Sequence, residues 1–202
     1  MKIFGHPMST CTRKVLTTLV ETNTPYELVT IDFVKGEHKQ EAHLARQPFG
    51  QLPALDDDGF ALYESRAISR YINDKAKGSL LPTDLQARAR TEQWISVETS
   101  NFTPHAMKFI YHHVFQRKQD EAVLTGAAES LAKCLAVMER QLATTPHFAG
   151  EAFTLADICY MPYVEYMMST PAKENFAKFP HVSAWWNRVS ERPSWRKVTL
   201  RA

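Results

Sequence analysis

The apolar positions of this chain change period along its length. Lys2-Ile-Phe-Gly-His6 predicts a short strand. Residues 12–22 then place Val15, Leu16, Leu19 and Val20 at helical spacing. Tyr26 to Phe33 is rich in β-branched and aromatic residues, with Val29, Ile31 and Phe33 on one face of a predicted strand. After the polar run Lys35–Glu41, Leu52-Pro-Ala-Leu55 and Phe60-Ala-Leu-Tyr63 flank Asp56-Asp-Asp-Gly59. An Asp-Gly step between two apolar runs predicts a hairpin. Residues 64–75 return to helical spacing through Ala67, Ile68, Tyr71 and Ile72. The order βαβ then ββα needs a parallel crossover followed by an antiparallel hairpin, and so predicts one mixed four-stranded sheet covered by helices.

Lys77–Asp84 reads as the core of a linker, after which no strand signal of comparable strength appears. The chain is therefore expected to be α+β and two-domain. Residues 1–76 form the sheet domain, 77–85 the linker and 86–202 an all-α bundle. Residues 86–115 predict one long helix bent near Pro104. Leu124, Ala128, Leu131, Leu135, Met138 and Leu142 make the stripe of an amphipathic helix. Thr154 and Asp157 have capping-box spacing, with Phe153 and Ile158 as a hydrophobic staple. Pro162 is expected to bend that helix, and Pro180 to Val189 to form the last one.

Composition narrows the class without choosing a function. Of 202 residues, 44% are apolar and 23% charged, which excludes wholesale disorder and a disulfide-stapled miniprotein. A net charge of +2 calls for neither a nucleic-acid nor an anionic-membrane partner. No apolar run approaches the roughly 18 residues of a membrane span. Met1–Gly5 lacks the layout of a secretory signal. Three cysteines, an odd number with no CxxC pair, point to free thiols in a reducing cytoplasm. GxxxxGK[ST], GxGxxG and HExxH are all missing from the sequence, and His112-His113 point to different helix faces, so no metal is expected.

Three stretches carry candidate chemistry. In Gly5-His-Pro-Met-Ser-Thr-Cys11, residues Ser9 to Cys11 fall at a helix N-terminus, where unpaired amides and the helix dipole favour negative charge. Ser9 reads there as an N-cap or an anion donor, and Cys11 as a small buried hydrophobe or a low-pKa thiol. In Gln47-Pro-Phe-Gly-Gln-Leu-Pro53, Pro53 opens a strand, where it has no donor to give the ladder. At Glu64-Ser65 a hairpin meets a helix. The plain reading is capping by Ser65, with Glu64 favoured by the dipole.

Taken together, Phe4-Gly-His-Pro-Met-Ser-Thr10, Gly36-Glu-His-Lys39, Pro48-Phe-Gly-Gln-Leu-Pro53 and Glu64-Ser-Arg-Ala-Ile68 resemble the glutathione S-transferase family, and within it the phi class. The resemblance covers essentially the whole chain, including Phe153–Ile158. It implies that the sheet domain is thioredoxin-like and binds glutathione as co-substrate, and that the helical domain binds the electrophile. Ser9 would donate to the glutathione sulfur and hold it as thiolate. Glu64 would meet the γ-glutamyl ammonium, and Ser65 its carboxylate. Leu52 would pair through its main chain with the cysteinyl unit beside a cis Pro53. His38 and Lys39, assisted by Gln51, would meet the glycyl carboxylate. The electrophile pocket would draw on Met8, Phe33, His105, Phe109, His112 and Tyr166.

The implied activity is conjugation of glutathione to electrophilic, mostly apolar small molecules, with reduction of organic hydroperoxides as a possible second reaction. The competing readings are a thiol transferase using Cys11 and a non-catalytic ligand carrier. The family likeness also implies a homodimer, with Phe49, Arg66 and Arg70 near its interface.

Overall fold

The computed structural model describes residues 1–200. By packing it divides into two compact units. One is Met1–Leu81 together with the described residues from Pro193 to Leu200, and the other is Pro82–Arg192.

The first unit is built on strands β1 (Lys2–Gly5), β2 (Glu27–Thr30), β3 (Ala54–Asp57) and β4 (Phe60–Tyr63), in the order β2-β1-β3-β4. β1 and β2 are parallel, and β1/β3 and β3/β4 antiparallel, as the βαβ-ββα pattern requires. Asp58 and Gly59 both have positive φ (53° and 91°), the backbone of a tight primed hairpin turn that glycine tolerates at no steric cost. The alternation of strand residues splits the apolar set between two faces. Ile3 and Leu55 pack with Val15, Leu16 and Leu19 of α1 (Thr10–Glu21) and with Ile68 and Ile72 of α3 (Ser65–Lys75). Phe4, Ile31, Leu52 and Ala54 cluster separately, with Val29 against them. Each such aliphatic side chain contributes about 1.5–3 kcal/mol by leaving water.

β2 is shorter than the sequence pattern predicts. Asp32 ends it, because its carboxylate accepts from the Val34 and Lys35 amides (2.8 and 3.1 Å) and turns the chain. Phe33 is thereby lifted off the face it would share with Val29 and Ile31 and left 43% exposed. The polar connection folds into a 3₁₀ turn, Glu37–Lys39, and the one-turn helix α2 (Glu41–Leu44).

The second unit is helical: α4 (Leu85–Val97), α5 (Thr103–Phe109), α6 (Glu121–Leu142), α7 (Leu155–Met167), α8 (Lys173–Phe176) and α9 (Pro180–Ser190). The predicted long helix is a single run from Leu85 to Val114, interrupted by π turns at Glu98–Phe102 and Ile110–Val114. Pro104 lacks an amide and crowds the carbonyl four residues back, and the widened turn before it relieves that conflict. Phe148 is the hub of the core, with ring centroids 4.4 Å from Tyr160, 4.9 Å from Trp185 and 5.0 Å from Trp94.

The sequence division assigns residues 86–202 to the helical domain, and Pro180–Val189 is its last predicted helix. A further helix, α10 (Pro193–Thr199), instead packs on α1 in the first unit. Val198 joins the α1/α3 core, and the Ser194 hydroxyl bonds the Glu21 carboxylate.

Candidate active site

Strand register gathers the candidate residues at one end of the sheet. Phe4 pairs with Ala54, and Ala54 with Tyr63, while Phe4 and Gly5 lie beside Val29 and Thr30. The segments that continue from this row are 6–9 after β1, 31–39 after β2, 52–53 before β3 and 64–65 after β4. All four strands thus end or begin at the same edge with the motifs that the sequence singles out.

After β1 the chain turns sharply, with the Ser9 amide bonded to the His6 carbonyl at 2.9 Å. Ser9 is the N-cap of α1, its hydroxyl oxygen accepting from the Thr12 amide at 3.2 Å. A hydroxyl used this way as an acceptor keeps its own proton to donate. The first turn of α1 holds no acidic residue, so the positive end of its dipole is uncompensated within the helix. The loop itself is held by residues that sequence reasoning missed. Arg13, buried, donates from Nε to the Pro7 carbonyl (2.8 Å) and from Nη2 to the Met8 sulfur (3.6 Å). Thr12 accepts the His6 amide at 3.3 Å, and His6 Nδ1 accepts the Met8 amide at 3.1 Å. The signal available beforehand was a cation at helical spacing on an otherwise apolar face. Cys11, in no disulfide, sits one residue inside the helix and is partly exposed. Cys134 differs, since burial pushes its thiol up to about 12 and removes it as a nucleophile.

The 33–53 region is a set of interlocked loops. His38 lies in the 3₁₀ turn with its ring 4.8 Å from Phe33, which in turn stands 5.9 Å from His6. Lys39 Nζ donates to the Phe49 carbonyl at 3.0 Å. Gly50, at φ +61°, passes so close that a Cβ would lie 2.7 Å from the His38 carbonyl oxygen, so only glycine fits the crossing. Leu52 is buried, and the Leu52–Pro53 peptide bond is cis, as the family resemblance implies.

The start of α3 corrects one reading. The N-cap is Glu64 rather than Ser65, and no side chain caps the helix. Ser65 is already the first helical residue and is buried. Glu64 has φ +72° and ψ 107°, a region that non-glycine residues rarely enter and that is enriched at ligand sites. The α3 amides are therefore left without a side-chain acceptor from their own segment, again with no acid in the first turn.

The residues proposed for an electrophile pocket are distributed. Met8 and Phe33 are exposed on the first unit, linked through His6. In the second unit Phe109 is buried and stacks on His113, and Tyr166, also buried, meets Phe115 edge-on at 5.6 Å. His112 Nδ1 accepts the Gln119 amide at 3.1 Å, and its ring lies 4.6 Å from that of His113 because the π turn brings the neighbours together. Burial, then the nearby His112 and Lys118 charges, hold His113 below its usual range. His105 lines a separate groove of about 410 Å³ with Val97, Asn101, Ser130, Lys133 and Val137. Phe49 is 63% exposed, with Tyr63 edge-on at 6.2 Å. Arg70 reaches back along α3 to the Arg66 carbonyl at 2.8 Å. Among the described residues no cluster of three or more His, Cys, Asp or Glu is placed to hold a metal ion, and no helix is long and apolar enough to cross a membrane.

Comparison with known proteins agrees with this geometry. Residues 1–74 match the model of the glutathione S-transferase N-terminal domain, and residues 102–193 that of the C-terminal domain. The chain is 38% identical over 204 residues to glutathione S-transferase F6 of Arabidopsis thaliana, covering 98% of both chains. It superposes on the crystal structure of glutathione transferase F7 from Populus trichocarpa with a TM-score of 0.94 at 39% identity, covering 99% of this chain and 98% of that one. Glutathione S-transferase I from maize, solved with an atrazine glutathione conjugate, superposes with a TM-score of 0.92 at 35% identity, covering 99% and 96%. Two family models across most of its length, and full-length relatives in the phi series, show that the chain belongs to the glutathione S-transferase family and is phi-like within it.

Proposed function

We propose that this protein transfers glutathione, as its thiolate, to electrophilic and mostly apolar small molecules. The observation that carries the reading is the Ser9 hydroxyl, held at the N-terminus of α1 by its bond to the Thr12 amide. A free thiol titrates near 8.5, and lowering that by about two units requires roughly 2.7 kcal/mol of preference for the anion. One hydrogen bond to a charged group supplies about 1.5–3 kcal/mol. The helix N-terminus adds about 0.3–1 kcal/mol. The two together suffice without a general base. Ser9 is then a stabiliser of the nucleophile, and the attacking atom is the cofactor's sulfur.

In this reading residues 1–76 form the glutathione-binding domain. The Glu64 carboxylate meets the γ-glutamyl ammonium, and the open amides of α3 with the Ser65 hydroxyl take the neighbouring carboxylate. The Leu52 main chain pairs with the cysteinyl unit beside Pro53. His38, Lys39 and Gln51 surround the glycyl carboxylate, to which Lys39 brings positive charge. Met8 and Phe33 offer apolar surface on the first unit to the second substrate. Phe109, His112 and Tyr166 are the helical domain's contribution, whereas His105, which lines the separate groove with Lys133 and Val137, is left out of the pocket. Free thiols suit a reducing, cytoplasmic setting. The protein acts as a homodimer, with the exposed Phe49 as anchor and Arg66 and Arg70 nearby. Sedimentation should show Phe49→Ala shifted toward monomer, and an unchanged dimer would remove Phe49 from that role.

The decisive experiment compares two variants. Ser9→Ala should cut conjugation of a chloronitrobenzene-type substrate at least about tenfold, while Cys11→Ala leaves it nearly intact. The reverse pattern would assign the chemistry to Cys11. Failure of the parent to be retained on immobilised glutathione would point to a non-catalytic carrier.

A further inference from the structure

The peptide between Gln51 and Leu52 is held from behind by two buried side chains. His43, 2% exposed, lies in α2 and places Nε2 at 2.8 Å from the Gln51 carbonyl oxygen. A carbonyl can only accept, so Nε2 is the protonated nitrogen of that ring. Gln47, 1% exposed, places Oε1 at 3.1 Å from the Gln51 amide. The two side chains are one helical turn apart, and the turn is closed by the Gln47 amide on the His43 carbonyl at 2.9 Å. Both main-chain groups of Gln51 are therefore fixed by polar side chains taken out of water, an arrangement that costs desolvation and is retained only where its bonds are made.

A peptide unit is planar, and in a trans unit the C=O and the following N–H point in opposite directions. Gripping the Gln51 carbonyl from the α2 side thus turns the Leu52 N–H the other way. That N–H donates to no acceptor among the described residues. The residue it belongs to is locked on its far side by the cis bond to Pro53.

We infer that His43 and Gln47 are positioning residues, a buried clamp on the Gln51 peptide that presents the Leu52 N–H to the cysteinyl carbonyl of glutathione. This rests on the glutathione reading given above. Neither side chain touches the tripeptide. Their effect is to pre-set the orientation of a donor that would otherwise have to be ordered on binding. His43 Nδ1 is buried without a partner among the described residues, so a phenyl ring in its place deletes the Gln51 bond and no other.

The test uses the full-length protein and glutathione itself. Titration calorimetry gives the dissociation constant, and steady-state conjugation gives KM for glutathione, KM for the electrophile and kcat. His43→Phe should weaken glutathione by roughly threefold to tenfold in both dissociation constant and KM, the loss expected for one misdirected hydrogen bond. Its kcat at saturating glutathione and its KM for the electrophile should stay within about twofold of the parent, a split that general loosening would not produce. His43→Gln, which keeps a donor, should recover most of the affinity. Gln47→Leu provides the second arm, with the same selective loss, should His43→Phe prove too unstable to assay. Parent-like glutathione affinity in folded His43→Phe and Gln47→Leu would overturn the clamp, as would a His43→Gln protein no better than His43→Phe. Failure of the parent to bind glutathione would instead remove the underlying reading.

Discussion

Two helices begin at the same end of the sheet and are finished in opposite ways. The N-terminus of α1 is closed by its own N-cap, with Ser9 accepting from Thr12. The N-terminus of α3 has a glutamate at φ +72° in the cap position, and that residue makes no side-chain cap bond. Closing a helix start gains about 1 kcal/mol, so leaving one open in a strained backbone runs against stability. The second unit shows a helix start closed more completely. At α7 Thr154 and Asp157 complete a capping box, and Asp157, fully buried, also accepts from the Phe148 amide (3.2 Å) and Trp185 Nε1 (2.8 Å). A start sealed by its own chain supports the fold. One that keeps amides or a hydroxyl proton in reserve is suited to an anion from outside.

The contrast can be broken at its strongest point first. Asp157→Ala removes a buried carboxylate from four donors at once: two amides, the Trp185 indole and the Thr154 hydroxyl at 3.3 Å. Urea unfolding should show a loss of about 3–5 kcal/mol. Glutathione affinity per folded molecule should be unaltered, and a binding defect would mean that the sealed start also serves the ligand. Next in size is Ser9→Ala, with its tenfold or greater loss of turnover. The lost cap should lower stability by only about 1 kcal/mol, so the two readouts separate the cap from the donor. Glu64→Gly sharpens the comparison further, because its two effects have opposite signs. Relief of the positive φ should stabilise the protein by about 0.5–1 kcal/mol, while loss of the carboxylate weakens glutathione. A variant both less stable and unaltered in binding would contradict the proposed role of that residue.

The smallest effect comes from the other end of α3. There Lys75 Nζ and the Tyr71 hydroxyl both bond the buried Asp57 carboxylate. The Lys75 bond, then the Tyr71 bond, hold Asp57 below its usual carboxylate range, whereas Lys75 is raised. A carboxyl depressed in the folded state stabilises above its unfolded value near 3.9 and loses that contribution as pH falls through its folded value. The urea midpoint should therefore decline more steeply below about pH 4 in the parent than in Asp57→Asn. Parallel acid limbs would show that this contact carries no pH-dependent stability.

Much of the sheet unit is legible in the sequence because its signals are local. The Asp58-Gly59 turn, the alternation through Ile3 and Phe4, and the serine ahead of α1 each rest on neighbouring residues. The capping box at Thr154 and Asp157 is legible for the same reason. What is not legible depends on where backbone groups go. Ser65 looks like a cap in sequence. It is Glu64 that occupies the position, because the chain leaves β4 with a backbone angle that no local pattern announces. Phe33 sits in phase with Val29 and Ile31, yet the Asp32 side chain stops the strand first. No local pattern marks His43 or Gln47 as buried, and only the folded chain shows them packed against Gln51. α10 was invisible because its apolar residues matter only once Val198 reaches the α1/α3 core.

The central claim is that Ser9 holds glutathione as an anion, and ultraviolet absorbance of the thiolate in the binary complex measures this directly. Across a pH titration the parent complex should show thiolate appearing about one to two units below the midpoint near 8.5 of free thiol, with Ser9→Ala moved back toward it. A parent midpoint equal to that of free glutathione, or one that Ser9→Ala leaves unmoved, would contradict the account.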